Sequence, residues 1–245
     1  MTLIRKDIKN PWVFLKTRKT AGSSIEGLLL NYLRPPDEVA TSGDPEPLPW
    51  PFWSTPNNTT NYKNIEAFIK GKARKIGVHK MRLTEHMRAE RVRKHVGERF
   101  WAEAFKFCVE REPIDRFCSW HRWYNLRHNT SVSMEWVLDS LESDSKDKLR
   151  SKHLHHSWNA PIYLGSSGLS VDMVCRFDCL EEDMEFIMER LGLDDIDIDK
   201  MPRYKVTGSQ QEVDGAISEA TRLRIESLFD RECEVYHKMA GKCFK

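Results

Sequence analysis

Apolar residues recur along this chain at two spacings. Trp12 to Lys16 is a short run containing Val13 and Phe14, the pattern of a buried strand. Thr17 to Ser24 is polar and holds one glycine. From Ser24 onward Ile25, Leu28, Leu29, Tyr32 and Leu33 return at helical spacing, with Ser23 and Ser24 where an N-cap belongs. The unit is therefore strand, tight loop, helix. Arg74 to Val78 (RKIGV) predicts a second strand that ends at His79. A helix follows, with Thr84 as N-cap, and it stops at Gly97. Ala104 to Val109 predicts a third strand. The next helix opens at Pro113, near the favoured N1 position, and carries Ile114, Phe117, Cys118, Trp120 and Tyr124. A short helix is expected over Ser131 to Ser143, and another over Lys146 to Trp158. Val171 to Phe177 predicts a strand, Glu181 to Leu191 a helix closed by Gly192, and Ser218 to Met239 a last helix. Helices between strands predict α/β architecture: a single domain over residues 1–245, with a mostly parallel sheet and helices on both faces.

One segment breaks the alternation. Arg34 to Asn61 holds seven prolines, with Trp50, Phe52 and Trp53 among them. Proline at this density excludes helix and central strand. Two readings fit so long a loop. Either its aromatics lie over a site and contact a ligand such as a sugar ring, or they staple the loop to the body.

Charge narrows the partners. Lys plus Arg number 39 against 37 Asp plus Glu, a net charge of +2. That excludes a general polyanion-binding surface, so neither nucleic acid nor membrane is expected as a partner, and any anion site must be local. The six cysteines form no CxxC pair, and they are expected to be mostly reduced and partly buried, with a disulfide as the lesser alternative. The opening MTLIRKDIKNPW has no apolar stretch of the signal-peptide kind, and no apolar run reaches the roughly 18 residues of a membrane span. A cytoplasmic protein is the expectation.

The chemistry concentrates in the first loop. A strand–loop–helix turn aims backbone N–H groups and the positive end of a helix dipole at one spot, which suits a phosphate. Lys19 adds a mobile charge, and Ser23 and Ser24 add hydroxyls. This is not a Walker A loop, in which the Lys follows the second glycine. Here Lys19 precedes Gly22. Taken alone, a Lys- and Ser-rich turn with no ligand remains the plainer alternative. At the end of the third strand stands Arg111, whose planar fork suits a phosphate. Pairing with Glu110, Glu112 or Asp115 is its structural alternative. His153, His155 and His156 lie close together, but no carboxylate or Cys falls beside them at ligand spacing, so no metal is assigned.

Together these stretches carry a family resemblance. Lys19 to Ser24, K-T-A-G-S-S, resembles the 5′-phosphosulfate loop of sulfotransferases, with Arg18 where the family usually has Pro. Val109 to Tyr124, VEREPIDRFCSWHRWY, resembles their second motif through Arg111, Pro113, Arg116 and Ser119, with Glu112 in place of Asp or Asn. RFDCLEEDMEFIMERLGL and NAPIYL resemble later segments of the carbohydrate-type branch. The resemblance spans about Trp12 to Phe244.

It implies a sulfotransferase using 3′-phosphoadenosine-5′-phosphosulfate, with no metal required and adenosine 3′,5′-bisphosphate as product. The acceptor would be a hydroxyl or amine of a small molecule or glycan. Cofactor contacts fall to Lys19, Thr20, Ala21, Gly22, Ser23, Ser24, Arg111 and Ser119. Lys19 and His79 are the expected catalytic residues, His79 as general base. Trp53, His155 and His156 are candidates for acceptor contact. In the polar stretch Met201 to Gly215, Lys205, Thr207 and Ser209 are candidates for nucleotide contact, with a solvated loop as the plainer reading. Two alternatives stand beside this reading: a nucleotide-dependent kinase, and a non-catalytic module that binds a nucleotide or a sulfated glycan.

Overall fold

A computed structural model describes residues 2–6, 9–29, 32–33, 37–39, 86–143, 153–193, 198, 201 and 217–239. Its main sheet is built from β1 (Thr2–Arg5), β2 (Trp12–Leu15), β3 (Glu38–Val39), β4 (Phe105–Glu110) and β7 (Met173–Arg176). Across the sheet the five strands lie in the order β3-β1-β2-β4-β7. The strands β2, β4 and β7 run parallel, with Phe14 beside Phe107 and Cys108 beside Val174. This parallel centre is the sheet expected from the alternation of strands and helices. At one edge β1 pairs antiparallel with β2, Thr2 opposite Leu15, and β3 pairs antiparallel with β1. A separate ribbon pairs β5 (Leu164–Gly165) with β6 (Gly168–Leu169).

The helices are α1 (Gly22–Leu29), α2 (Ala89–Val96), α3 (Glu98–Glu103), α4 (Pro113–His128), α5 (Met134–Ser143), α6 (Ala160–Tyr163), α7 (Leu180–Leu191), α8 (Glu219–Leu228) and α9 (Asp230–Met239). They cover both faces of the sheet, and the period-two alternation shows how. Trp12, Phe14, Phe107, Val109, Met173 and Cys175 face one way, onto Ile25, Leu28 and Leu29 of α1 and Met184, Ile187 and Met188 of α7. Val13, Leu15, Cys108 and Val174 face the other way, toward Val92 of α2, Trp101 of α3, Tyr163 of α6 and Val235 of α9. Burial on both faces is why the central strands are almost wholly apolar. A third cluster lies beyond the sheet, where α4, α5 and α8 meet around Phe117, Trp120, Leu138, Ile225 and Phe229.

Several elements depart from the sequence pattern. The strand β1 was not anticipated. The helix α1 begins at Gly22, so Ser23 and Ser24 lie in its first turn and are not its cap. The helix expected over Lys146 to Trp158 is, in its described part, a 3-10 turn over Leu154–Ser157, entered through His153 at φ 58°. The last helix is two helices broken at Phe229, whose φ is −114° and ψ 31°. RKIGV with His79, Thr84, the loop aromatics Trp50, Phe52 and Trp53, and Lys205, Thr207 and Ser209 lie outside the described residues. Cys108, Cys118, Cys175 and Cys233 are free and buried, as expected, whereas Cys179 is disulfide-bonded. Among the described residues no helix is long and apolar enough to cross a membrane.

Candidate active site

Between the end of β2 and the start of α1 the backbone takes up an unusual shape. Lys19 and Ala21 hold positive φ, 62° and 57°. Such angles cost of order 1–3 kcal/mol at a residue other than glycine, and persist only where surrounding contacts enforce them. The enforcing contacts are present on several sides. The N–H groups of Ser24 and Ile25 both donate to the Ala21 carbonyl, at 2.8 and 3.1 Å. The Thr17 and Thr20 hydroxyls lie 2.8 Å apart, and the Thr17 hydroxyl also donates to the Val109 carbonyl on β4. The Nδ1–H of His86 donates to the Lys16 carbonyl at 2.9 Å. The amides of Gly22 and Ser23, first in α1, have no acceptor inside their own helix and stand at the positive end of its dipole.

Lys16 is a second lysine beside the loop, and it serves the core. Its side chain crosses Gly22 and ends in a buried ion pair with Glu26, Nζ to Oε2 at 2.9 Å. Thr20, Gly22 and Ser24 are buried, while Lys19, Ala21 and Ser23 are partly exposed.

The second motif leaves the sheet on the neighbouring parallel strand. Arg111 follows Glu110, the last residue of β4. Its Nε donates to the Asp115 carboxylate, and its guanidinium lies 4.4 Å over the ring of Phe177. Neither of its two Nη groups donates a hydrogen bond among the described residues. The pairing with Asp115 is thus present, yet it uses the inner edge of the fork and leaves the outer edge for a ligand. Glu112 caps α4 by accepting from the Asp115 N–H at 2.7 Å, so it supplies the oxygen that the usual Asp or Asn would offer. Ser119 lies within α4 and is 3% exposed.

Arg116, another match to the motif, is wholly buried. Its Nε lies 3.2 Å from Glu110 and its Nη2 3.7 Å from Glu232, and Nη1 donates to the Ser157 carbonyl. Burial raises the Glu110 carboxyl above the usual range, opposed by Arg116 and reinforced by Glu232. Arg116 therefore belongs to a structural network under the site.

His155 and His156 lie in the Leu154–Ser157 turn, directly before Trp158 and Asn159. Their ring centroids are 4.1 Å apart, and His153 stacks at 5.5 Å on His128 of α4. Burial, then His153 and Arg127, hold His128 below its ordinary range. Among the described residues no group of three or more His, Cys, Asp or Glu is placed to hold a metal ion. His79 and Trp53 fall outside the described residues. Conversely, Thr17, His86, Phe177 and Asn159 contribute to the site without having been anticipated as site residues, and each does so through a partner distant in sequence. Asp115, one helical turn from Arg111, is the pairing that the sequence offered as the structural alternative.

No family model matches the chain, and no curated protein matches it. Among solved structures, the chain is similar to a sulfotransferase from Alicyclobacillus acidocaldarius, with 15% identity over 91% of this chain and 97% of that one and a TM-score of 0.39. A likeness at that score is too slight to argue from, so function rests on the geometry of the site itself.

Proposed function

We propose that this chain, as one domain over residues 1–245, is a sulfotransferase that moves a sulfuryl group from 3′-phosphoadenosine-5′-phosphosulfate to a hydroxyl or amine, with a carbohydrate as acceptor. One observation carries the reading. The K-T-A-G-S-S loop and the Arg111 motif, distant in sequence, meet at the C-terminal ends of adjacent parallel strands and are joined by the Thr17–Val109 hydrogen bond. In open α/β sheets that edge is where ligands bind.

The residues present fit such a donor. The loop offers the amides of a helix N-terminus, and Arg111 offers the outer edge of its fork, so there are two anion-holding places for a nucleotide phosphorylated at both ends. When bound, the donor supplies the activated sulfuryl group. The Thr20 to Ser23 amides and the Ser23 and Ser24 hydroxyls hold its 5′ end, and Arg111 with Ser119 holds its 3′-phosphate. Lys19 brings positive charge to the oxygen on which charge develops. His79 takes the acceptor's proton, and Trp53, His155 and His156 contact the acceptor. Transfers of this type leave little covalent chemistry to the protein, so positioning and electrostatics carry the rate; a sulfuryl group carries less charge than a terminal phosphate, so this reading requires no metal.

A thermal-shift panel tests the donor. Adenosine 3′,5′-bisphosphate at 100 times its Kd adds about 2.7 kcal/mol of apparent stability, and ATP with Mg²⁺ adds less. A larger shift with ATP and Mg²⁺ would favour a kinase. Transfer of label from the sulfated donor to a glycan panel then tests activity, and binding without any transfer would favour a non-catalytic module. In that assay His79→Ala loses on the order of 10²–10⁴ in turnover while binding the bisphosphate normally. Turnover within a few-fold of wild type would reject His79 as base.

A further inference from the structure

Asn159 is fully buried, and its side chain lies at the junction of segments that are far apart in sequence. Its Oδ1 accepts from the Arg18 N–H at 2.8 Å, and its Nδ2 donates back to the Arg18 carbonyl at 3.1 Å. The same Nδ2 lies 3.2 Å from Glu110 Oε1, at the end of β4. Its backbone N–H, like that of Ala160, donates to Glu232 Oε1 on α9, each at 2.9 Å. Trp158, one residue earlier, accepts from Arg18 Nη1 at 2.9 Å. Asn159 thus grips both peptide groups that flank Arg18, immediately before Lys19 with its positive φ.

No other chemistry fits this place so well. A primary amide presents a donor and an acceptor side by side, which is what the N–H and C=O of one residue require. A carboxylate has no donor for the Arg18 carbonyl and would set an acid against Glu110, and a shorter side chain would leave buried groups unpaired. Proline at position 18 could not donate the N–H that Asn159 accepts here.

We propose that Asn159 is the positioning residue that fixes the strained backbone of the anion loop around Lys19 and couples it, through Glu232, to the C-terminal helix α9. The proposal rests on the nucleotide-donor reading only for its ligand. It makes a particular demand: losing the clamp must weaken the grip on the 5′-phosphate, the part shared by adenosine 5′-monophosphate and adenosine 3′,5′-bisphosphate.

The test is calorimetric titration of both nucleotides into wild type, Asn159→Ala and Arg111→Ala. Asn159→Ala is expected to weaken both by the same factor, about 5- to 150-fold. Arg111→Ala is expected to weaken only the bisphosphate. A folded Asn159→Ala that melts earlier yet binds both nucleotides as wild type does would overturn the proposal and leave Asn159 a fold residue. Amide exchange on the ligand-free wild type is the second arm, independent of the donor and of whether the variant folds. The Arg18 amide must be protected, and exchange at the rate of an open loop would overturn the clamp. Wild type that binds neither nucleotide while protecting the Arg18 amide would defeat the donor reading and uphold the clamp.

Discussion

Thr17 and Val109, 92 positions apart, are joined by a hydrogen bond from the Thr17 hydroxyl to the Val109 carbonyl where β2 and β4 end side by side. The bond is buried and sits between the two stretches that bear the site chemistry. Because the hydroxyl also faces Thr20 at 2.8 Å, one side chain links the loop's start, its middle and the neighbouring strand.

Thr17→Val keeps the shape and removes the donor. It leaves a buried carbonyl and the Thr20 hydroxyl without this partner, which costs about 1–3 kcal/mol. Urea denaturation should show that loss with an unchanged slope, and Thr17→Ser should recover most of it. A Val variant as stable as wild type would mean that the bond contributes nothing net.

Lys19→Ala should fold normally, since Lys19 is partly exposed and lies outside the apolar clusters. Losing a positive donor from developing charge typically costs about 2.7–4 kcal/mol in the barrier. Single-turnover transfer should slow accordingly, with the melting temperature little changed. Near-normal turnover removes Lys19 from the catalytic set.

Asp115→Asn should spare nucleotide binding more than Arg111→Ala does. Arg111→Ala should lose about 10- to 150-fold in affinity for the 3′-phosphorylated nucleotide alone. Asp115→Asn keeps an oxygen for Nε and the Phe177 platform, so its loss should be smaller. Equal losses in the two variants would show that the pairing, and not the free edge of the fork, governs binding.

Acid should loosen the His128–His153 stack. His128 sits below its ordinary value of 6.5, chiefly through burial and then through His153 and Arg127. The folded state therefore prefers the neutral ring, and below that value the unfolded state binds more protons. Stability should fall as pH drops through the window just under 6.5. His128→Gln should flatten that part of the profile, and a profile identical to wild type would place the acid sensitivity elsewhere. The effect should be small because His128 is largely exposed.

The parts of the site that were legible are those written locally. The strand–loop–helix around Lys19 declares itself by an apolar run, a polar gap and helical spacing. Arg111 and Pro113 declare themselves by their place after a strand. Asn159 could not be found this way, because its partners are 141 positions upstream at Arg18 and 73 downstream at Glu232. Arg116 matches a motif yet belongs to the core, since only the fold brings Glu110 and Glu232 to it. The break at Phe229 was hidden because a buried Phe continues the apolar spacing of an unbroken helix. The start of α1 was misplaced because the Ala21 carbonyl, turned inward at positive φ, does the work assigned to a serine cap.

Gly22 carries a further consequence. A methyl group at that position would lie 2.6 Å from Lys16 Cγ and 2.9 Å from its Cε, inside any tolerable contact. Its φ is not in the left-handed region, so the backbone itself does not demand glycine there. What demands it is the lysine stem lying across it on the way to Glu26. Positions 16, 22 and 26 are therefore sterically coupled in this chain: while Lys16 reaches Glu26 across position 22, only glycine fits there, and shortening residue 16 would free the space for an alanine. The glycine in this loop is the imprint of a buried ion pair, so its presence alone is no sign of a bound phosphate.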